Sequence, residues 1–253
     1  MQCTSPIRAW RSKHGTTGKV KMVFTATEGV GDEYLLPCGK CRACRIRLSR
    51  EWALRCAHEA KLHDANCFVT LTYDEQHLPD DWSLDHDHIQ RFFKRLRKAI
   101  APHKVRFFMC GEYGESNTEL PRPHYHLCLF GYAFPDKVQW KIRRGYPVYR
   151  SEELETLWPY GFSEIGSLTW ESAAYVARYV TKKVTGPLAE DHYMRLDAET
   201  GEIWKVMPEY VRMSNRPGIG HDWYKRYSSD LAKEYLTHDG KKFPIPKYYL
   251  DML

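Results

Sequence analysis

A chain of 253 residues with 38 Lys plus Arg against 32 Asp plus Glu, a net charge of +6, has room for one large domain and a small appendage, and holds no run of roughly 18 apolar residues that would span a bilayer. Its start, MQCTSPIRAWRSKHG, lacks the apolar block of a secretory leader, so the chain is expected to stay where it is made. Eight cysteines, three of them crowded into CGKCRAC, argue against a secreted disulfide scaffold in a chain this long and leave reduced thiols or a metal site.

The basic surplus is local. Residues 1–61 hold 12 Lys plus Arg and 5 Asp plus Glu, a balance of +7, so the other 192 residues carry 26 against 27, or −1. With Trp10, Tyr34 and Trp52 alongside, that segment suits a nucleic-acid partner whose phosphates meet cations and whose bases stack on flat rings; a plain solvated basic face is the alternative. Cys38, Cys41 and Cys44 follow C-x2-C-x2-C spacing, whose turns let thiolates converge on one ion. Cys3, in its own Ser-Pro turn, is the preferred fourth ligand and Cys56 the alternative. Structural zinc, unligated thiols and an iron–sulfur cluster all fit this pattern. Residues 41–63 place Ile46, Leu48, Trp52, Leu54 and Ala57 near helical spacing, predicting one long basic helix with Arg42 and Arg45 as candidate nucleic-acid contacts.

From about residue 66 the pattern turns β-like. CFVTLTY (67–73) alternates in polarity and is rich in β-branched and aromatic residues, and DEQHLPDD after it is turn chemistry. HIQRFFKRLRKAI (88–100) puts Ile89, Phe92, Phe93, Leu96 and Ile100 on one helical stripe that ends before Pro102. KVRFFMCGE (104–112) and HYHLCLFG (124–131) read as strands around a loop with two prolines, FSEIGSLT (162–169) as a further strand, and 171–184 as a helix closed by Gly186-Pro187. Cys67, Cys110 and Cys128 fall in these strands as small core residues. HDWYKRYSSDLAKEYL (221–236) reads as one more amphipathic helix. The order β-α-β-β-(α)-β-α predicts an α+β fold, an antiparallel sheet with helices on one face, behind an N-terminal helical, cysteine-rich, zinc-binding element. The expected division is a basic segment at 1–65, a core at 66–187 and an extension packed on it at 188–253.

In PRPHYHLCLFGY (121–132), His124 and His126 flank one tyrosine within a strand, so both imidazoles project to one face while Tyr125, Leu127 and Leu129 take the other. At i and i+2 their Cα atoms stand roughly 6 to 7 Å apart, near enough for both rings to meet one ion. If the two neighbouring strands pair through a symmetric loop, Glu112 lands opposite His124 and Cys110 opposite His126. Two imidazole nitrogens and a carboxylate suit Mg2+, Mn2+ or Zn2+ with positions open for substrate oxygens. Glu115 and Glu119 are rivals for the third place, and two partly exposed surface histidines are the plainer reading. His86 and His88 in DHDHIQ share the spacing but enter a helix from a polar turn, and are expected to be solvated cap residues.

SAAYVARYVTKKVTG (172–186) places Tyr175 and Tyr179 four apart on one helical face, with Lys182 and Lys183 a turn further on. A phenol with an ordinary pKa near 10 needs a neighbouring charge or base to become a nucleophile. Beside a metal site, such a pair suits attack on a phosphodiester that leaves a phosphotyrosine and a free 3′-hydroxyl; plain packing of two rings is the alternative.

His124-Tyr125-His126 resembles the HUH motif of the HUH endonucleases, Tyr175 to Lys182 resembles their tyrosine motif, and FVTLTYDE (68–75) is similar to their first strand motif. In CGEYGE, RPHYHLCLFG, LWPYGF, AAYVARYVTKK and RPGIG the chain resembles the rolling-circle replication initiators of small single-stranded DNA phages, the microviruses of the gokushovirus kind, over most of residues 38 to 220. The resemblance implies an HUH-type antiparallel sheet flanked by helices and a Mg2+- or Mn2+-dependent nick at a single-stranded origin. It implies a 5′-phosphotyrosine link and strand transfer that recircularises the displaced strand. His124, His126 and Glu112 would hold the metal, Tyr175 and Tyr179 would attack, Lys182 would assist, and Arg178 and Lys183 would contact DNA, in the cytoplasm of a bacterial host. No G-x-x-x-x-G-K-[ST] loop occurs, so unwinding is expected from a host helicase and synthesis from a host polymerase. A non-catalytic, zinc-stabilised single-strand binding protein and a single-tyrosine relaxase or transposase using only Tyr179 are the competing readings.

Overall fold

A computed structural model describes residues 2–12, 21–114, 121–182, 184, 188–197 and 200–253. Lys183, Glu115 and Glu119 lie outside the described residues, and of Lys182 only the backbone, at the end of a helix, is described. The chain forms two compact units, 1–49 and 50–253.

In the first unit, strands β1 (Ile7–Ser12), β2 (Met22–Val23) and β3 (Gly29–Leu36) make an antiparallel sheet in the order β2-β1-β3. The purely helical N-terminal element expected from sequence is therefore corrected. In β3 every residue is exposed except the two at its ends, which are half-buried, so its side chains lack the in-out alternation that marks a strand. The expected long helix follows as α1 (Arg42–Ala60), which runs on into the second unit.

The second unit continues with β4 (Asn66–Tyr73), α2 (His86–Ala99), β5 (Arg106–Tyr113), β6 (Pro123–Phe130), β7 (Val138–Arg143), β8 (Tyr146–Arg150), α3 (Glu152–Leu157), β9 (Gly161–Gly166) and α4 (Trp170–Lys182). It ends with α5 (Leu188–His192), β10 (Met194–Leu196), β11 (Ile203–Lys205), β12 (Tyr210–Met213), α6 (His221–Tyr227), β13 (Tyr235–His238), β14 (Lys241–Pro244) and α7 (Lys247–Leu250). Seven strands form one antiparallel sheet in the order β12-β5-β6-β4-β9-β8-β7. On one face Val69, Leu71, Tyr73, Met109, Tyr125, Leu127 and Leu129 meet Ile89, Phe92, Phe93 and Leu96 of α2 and Leu154 and Leu157 of α3. On the other, Phe108, Cys110, Cys128 and Phe130 meet Ala173, Val176, Ala177 and Tyr179 of α4 and Cys56 of α1. Helices thus cover both faces, not one. His124 and His126 make the second face look solvated in sequence, but Cys128 and Phe130 continue it as core.

β9 starts at Gly161, where φ is +148° and a Cβ would sit 2.3 Å from the Asp74 backbone nitrogen, so no side chain fits. Asp85 caps α2 by accepting from the backbone N–H groups of Asp87 and His88. The expectation of solvated cap histidines fails: His88 stacks on Tyr160 with centroids 3.9 Å apart and bonds Tyr73 Oη, and His86 bonds Tyr210 Oη. The helix expected over 221–236 stops at Tyr227, gives way to a 3-10 turn over Ser228–Lys233, and ends in the β13–β14 hairpin. Ser228, Ser229 and Asp230 compete for backbone hydrogen bonds and weaken the helix there. Among the described residues no helix is long and apolar enough to cross a membrane.

Candidate metal centres and tyrosine pair

β5 and β6 pair in the register of a symmetric loop, Glu112 opposite His124 and Cys110 opposite His126, while β4 sets Thr72 opposite His124 and Thr70 opposite His126. Paired residues share a face, so Glu112 converges on the two imidazoles. Ligand atoms of all three side chains lie within 4.8 Å of one another. His124 Nδ1 is 3.2 Å from the Arg122 carbonyl, which can only accept, so this nitrogen carries the proton and Nε2 turns its lone pair toward Glu112 Oε1 at 2.9 Å. His126 Nδ1 bonds Thr70 Oγ1 at 3.0 Å. Its Nε2 is 2.8 Å from Glu112 Oε1 but off the hydrogen-bonding axis, a buried nitrogen with no hydrogen-bond partner.

Glu112 is 2% exposed. Burial alone would raise its carboxyl, but hydrogen bonds from His124 and His126 hold it down at about 2. Burial lowers the pKa of His126, which keeps that ring neutral, the form that binds metals. An orphaned nitrogen, a second lone pair and a carboxylate oxygen aimed at one point fit a divalent cation, with the Arg122 carbonyl and Thr70 orienting the rings from behind. Sequence reasoning misses Thr70; its only signal is the strand register.

At the entry to α4, Thr169 and Ser172 each take the other's backbone N–H through a side-chain oxygen. Ala173, Val176 and Ala177 then press the helix onto the sheet, which sets the tyrosines over the triad. Tyr175 Oη donates to Glu112 Oε1 at 2.9 Å, its ring meets His126 edge-on at 4.9 Å, and Tyr179 Oη donates to Tyr175 Oη at 3.0 Å. Burial, then the charge of Glu112, pushes the Tyr175 phenol above its ordinary pKa. Arg178 is exposed, its guanidinium 5.1 Å from the Tyr175 ring centroid.

Three curated proteins are similar to this chain. Replication-associated protein VP4 of Bdellovibrio phage phiMH2K is 33% identical over 261 residues, which is 99% of this chain and 76% of that protein. Replication-associated protein ORF2 of Spiroplasma virus 4 is 32% identical, covering 98% of this chain and 79% of that protein. The chain belongs to this replication-associated family. Replication-associated protein ORF4 of Chlamydia phage 1 is 31% identical over 86% of this chain and 53% of its own length. A family model of replication-associated proteins of the ORF2 type matches residues 66–184, the stretch that carries the triad and both tyrosines. No solved structure matches the chain.

Outside the stretch matched by the family model, the first unit brings Cys3, Cys38, Cys41 and Cys44 together, all four Sγ atoms within 4.8 Å. Cys3 and Cys41 Sγ are 3.8 Å apart, and a tetrahedron with metal–sulfur bonds of roughly 2.3 Å has edges of about 3.8 Å. Backbone N–H groups of Cys38 and Cys41 point at the sulfurs of Cys3 and Cys38, at 3.4 and 3.3 Å. The backbone N–H groups of Cys44 and Thr4 bring Cys41 down to about 5, that of Cys38 lowers Cys3, and burial pushes Cys44 up to about 11. Four sulfurs, two of them favouring thiolate, fit a thiophilic ion. Cys56 is packed in the core of the second unit, where burial pushes its thiol up. Arg42 and Arg45 are exposed near the start of α1. Trp52, expected to offer a ring to bases, instead stacks on Phe108 at 5.0 Å.

Proposed function

We propose that this replication-associated protein initiates replication by nicking single-stranded origin DNA with a tyrosine. The supporting observation is the hydrogen bond from Tyr175 Oη to Glu112 Oε1, one of three ligand atoms that converge with His124 and His126. Tyr175 is the first nucleophile: its oxygen forms the bond to phosphorus as the P–O3′ bond breaks, leaving a 5′-phosphotyrosine and a free 3′-hydroxyl. Tyr179 donates to the attacking oxygen, and a hydrogen bond to the charged form favours the phenolate. A Mg2+ or Mn2+ ion held by His124, His126 and Glu112 supplies the positive charge that a buried phenol beside a carboxylate needs. Tyr179 then serves as the second nucleophile, so that one tyrosine holds an end while the other cuts during rejoining. Lys182, Arg178, Lys183, Arg42 and Arg45 are assigned to phosphate neutralisation and strand contact.

In this reading residues 66–187 are the nicking core of HUH type, 188–253 an extension packed on it, and 1–65 a basic segment whose Cys3, Cys38, Cys41 and Cys44 hold a structural zinc. Its partners are origin DNA, a host helicase and a host polymerase, in the bacterial cytoplasm. The test is incubation of an origin oligonucleotide with the protein and Mn2+ or Mg2+. The expected products are a protein-linked 5′ fragment and a free 3′-hydroxyl fragment, absent with Tyr175→Phe. A mobility shift without cleavage would overturn the nicking mechanism in favour of simple strand binding.

A further inference from the structure

Two rows of paired residues lead away from the triad across β4 to β9: His124–Thr72–Phe162 and His126–Thr70–Glu164. All six project to one face, and two strand spacings set Phe162 roughly 10 Å from His124. There a groove opens, lined by Thr70, Thr72, Trp140, Arg143, Arg150 and Phe162. Thr70 belongs to both places, since its hydroxyl also holds His126. Phe162 is 62% exposed and Trp140 51%, large apolar rings that core packing does not explain.

The far wall is the β7–β8 hairpin at the end of the sheet. Residues 137–150 contain two lysines and three arginines and no Asp or Glu. Lys141 Nζ lies 4.2 Å and the Arg150 guanidinium 5.5 Å from the Trp140 ring centroid. Glu164 pairs with Lys141 and Arg143, and Glu155 with Arg150. Two carboxylates against five cations leave a positive surplus, and partly exposed pairs of this kind are worth only about 0–1 kcal/mol, so they yield to phosphates. Exposed rings interleaved with cations beside a strand-cleaving centre match an unpaired polynucleotide, whose bases stack and whose backbone is anionic.

We propose that Phe162, Trp140 and the cations of the β7–β8 hairpin form a stacking platform for unpaired nucleotides of the DNA strand next to the scissile phosphate. The assignment of the cleaved phosphate rests on the nicking reading; the platform itself is a binding site and is tested without cleavage. The full chain, with no divalent cation added, is titrated into a labelled random-sequence 20-mer of single-stranded DNA and followed by fluorescence anisotropy. Phe162→Ala and Trp140→Ala are each expected to weaken binding about tenfold, Trp140→Phe to restore most of it, and neither alanine to change the far-UV circular dichroism. Arg143→Gln with Arg150→Gln should lower the slope of log K against log salt by about 0.7 for each phosphate no longer neutralised. Wild-type affinity in both folded alanine variants would overturn the platform, even where wild-type protein cuts origin DNA. Binding that depends on both rings, in a wild-type protein that cuts nothing with Mn2+, would uphold the platform and defeat the nicking mechanism instead.

Discussion

Around His126 each neighbour has one separable task. Thr70 Oγ1 fixes the ring through Nδ1 and touches nothing at the convergence point, so Thr70→Val should lower affinity for the divalent ion about 10- to 100-fold while leaving both imidazoles in place. Isothermal titration with Mn2+ reads this directly. Tyr179 stands one hydrogen bond behind Tyr175, so the two phenols should separate in a cleavage assay. Tyr175→Phe should give no covalent adduct. Tyr179→Phe should slow the first cleavage about ten- to a hundredfold, the roughly 1.5–3 kcal/mol of a hydrogen bond to a charged group, and block rejoining that needs a second nucleophile. Equal first-cleavage rates for Tyr179→Phe and wild type would reverse the assigned order.

At the scale of elements, α2 and α1 show two ways a helix is held. α2 buries a stripe of apolar side chains, and Phe92 and Leu96 are fully buried against the sheet, so Phe92→Ala should cost about 3–5 kcal/mol in a urea unfolding series. α1 is fastened by a histidine. His58 lies flat on Trp223 with centroids 3.5 Å apart, its Nδ1 is 3.0 Å from Tyr249 Oη, and burial pushes its pKa down to about 3. The folded ring therefore stays neutral where the unfolded one, with a pKa near 6.5, takes a proton. Stability from this group is complete above pH about 6.5 and falls as the pH drops toward 3. Between pH 7 and 5 wild type should lose about 2 kcal/mol more than His58→Phe, measured by urea unfolding at both values. Helix α2 was legible from its stripe alone. The strands β7, β8 and β12 were not, since their faces meet solvent or a single neighbour and carry charges where alternation would show.

For the whole molecule, each unit has its own metal-ligand set: a four-cysteine cluster in 1–49 and a Glu-His-His triad in 50–253. Stripping an ion from the first should leave four sulfurs crowded together, two of them drawn toward thiolate, and their repulsion should open that unit. Purified protein should carry one zinc per chain by mass spectrometry, Cys41→Ser should lose it, and a thiophilic chelator should speed proteolysis within 1–49 while sparing 50–253. Sequence alone was enough to pick out the residues that share a strand face or a helix face, because periods of 2 and 3.6 are local properties of the backbone. His124 with His126, and Tyr175 with Tyr179, were visible for that reason, as was Glu112 once a symmetric loop was assumed. What joined them was tertiary. Only the packing of Val176 and Ala177 on the sheet brings Tyr175 to Glu112, and only the return of the N-terminus brings Cys3 to Cys38, Cys41 and Cys44. The hairpin at 137–150 shows the limit most clearly: averaged over 192 residues its five cations vanish into a balance of −1, and only the order of strands in the sheet sets them beside Phe162 and, through Thr70, within reach of the triad. Contacts between segments far apart in the chain depend on how elements pack, and no local period records that.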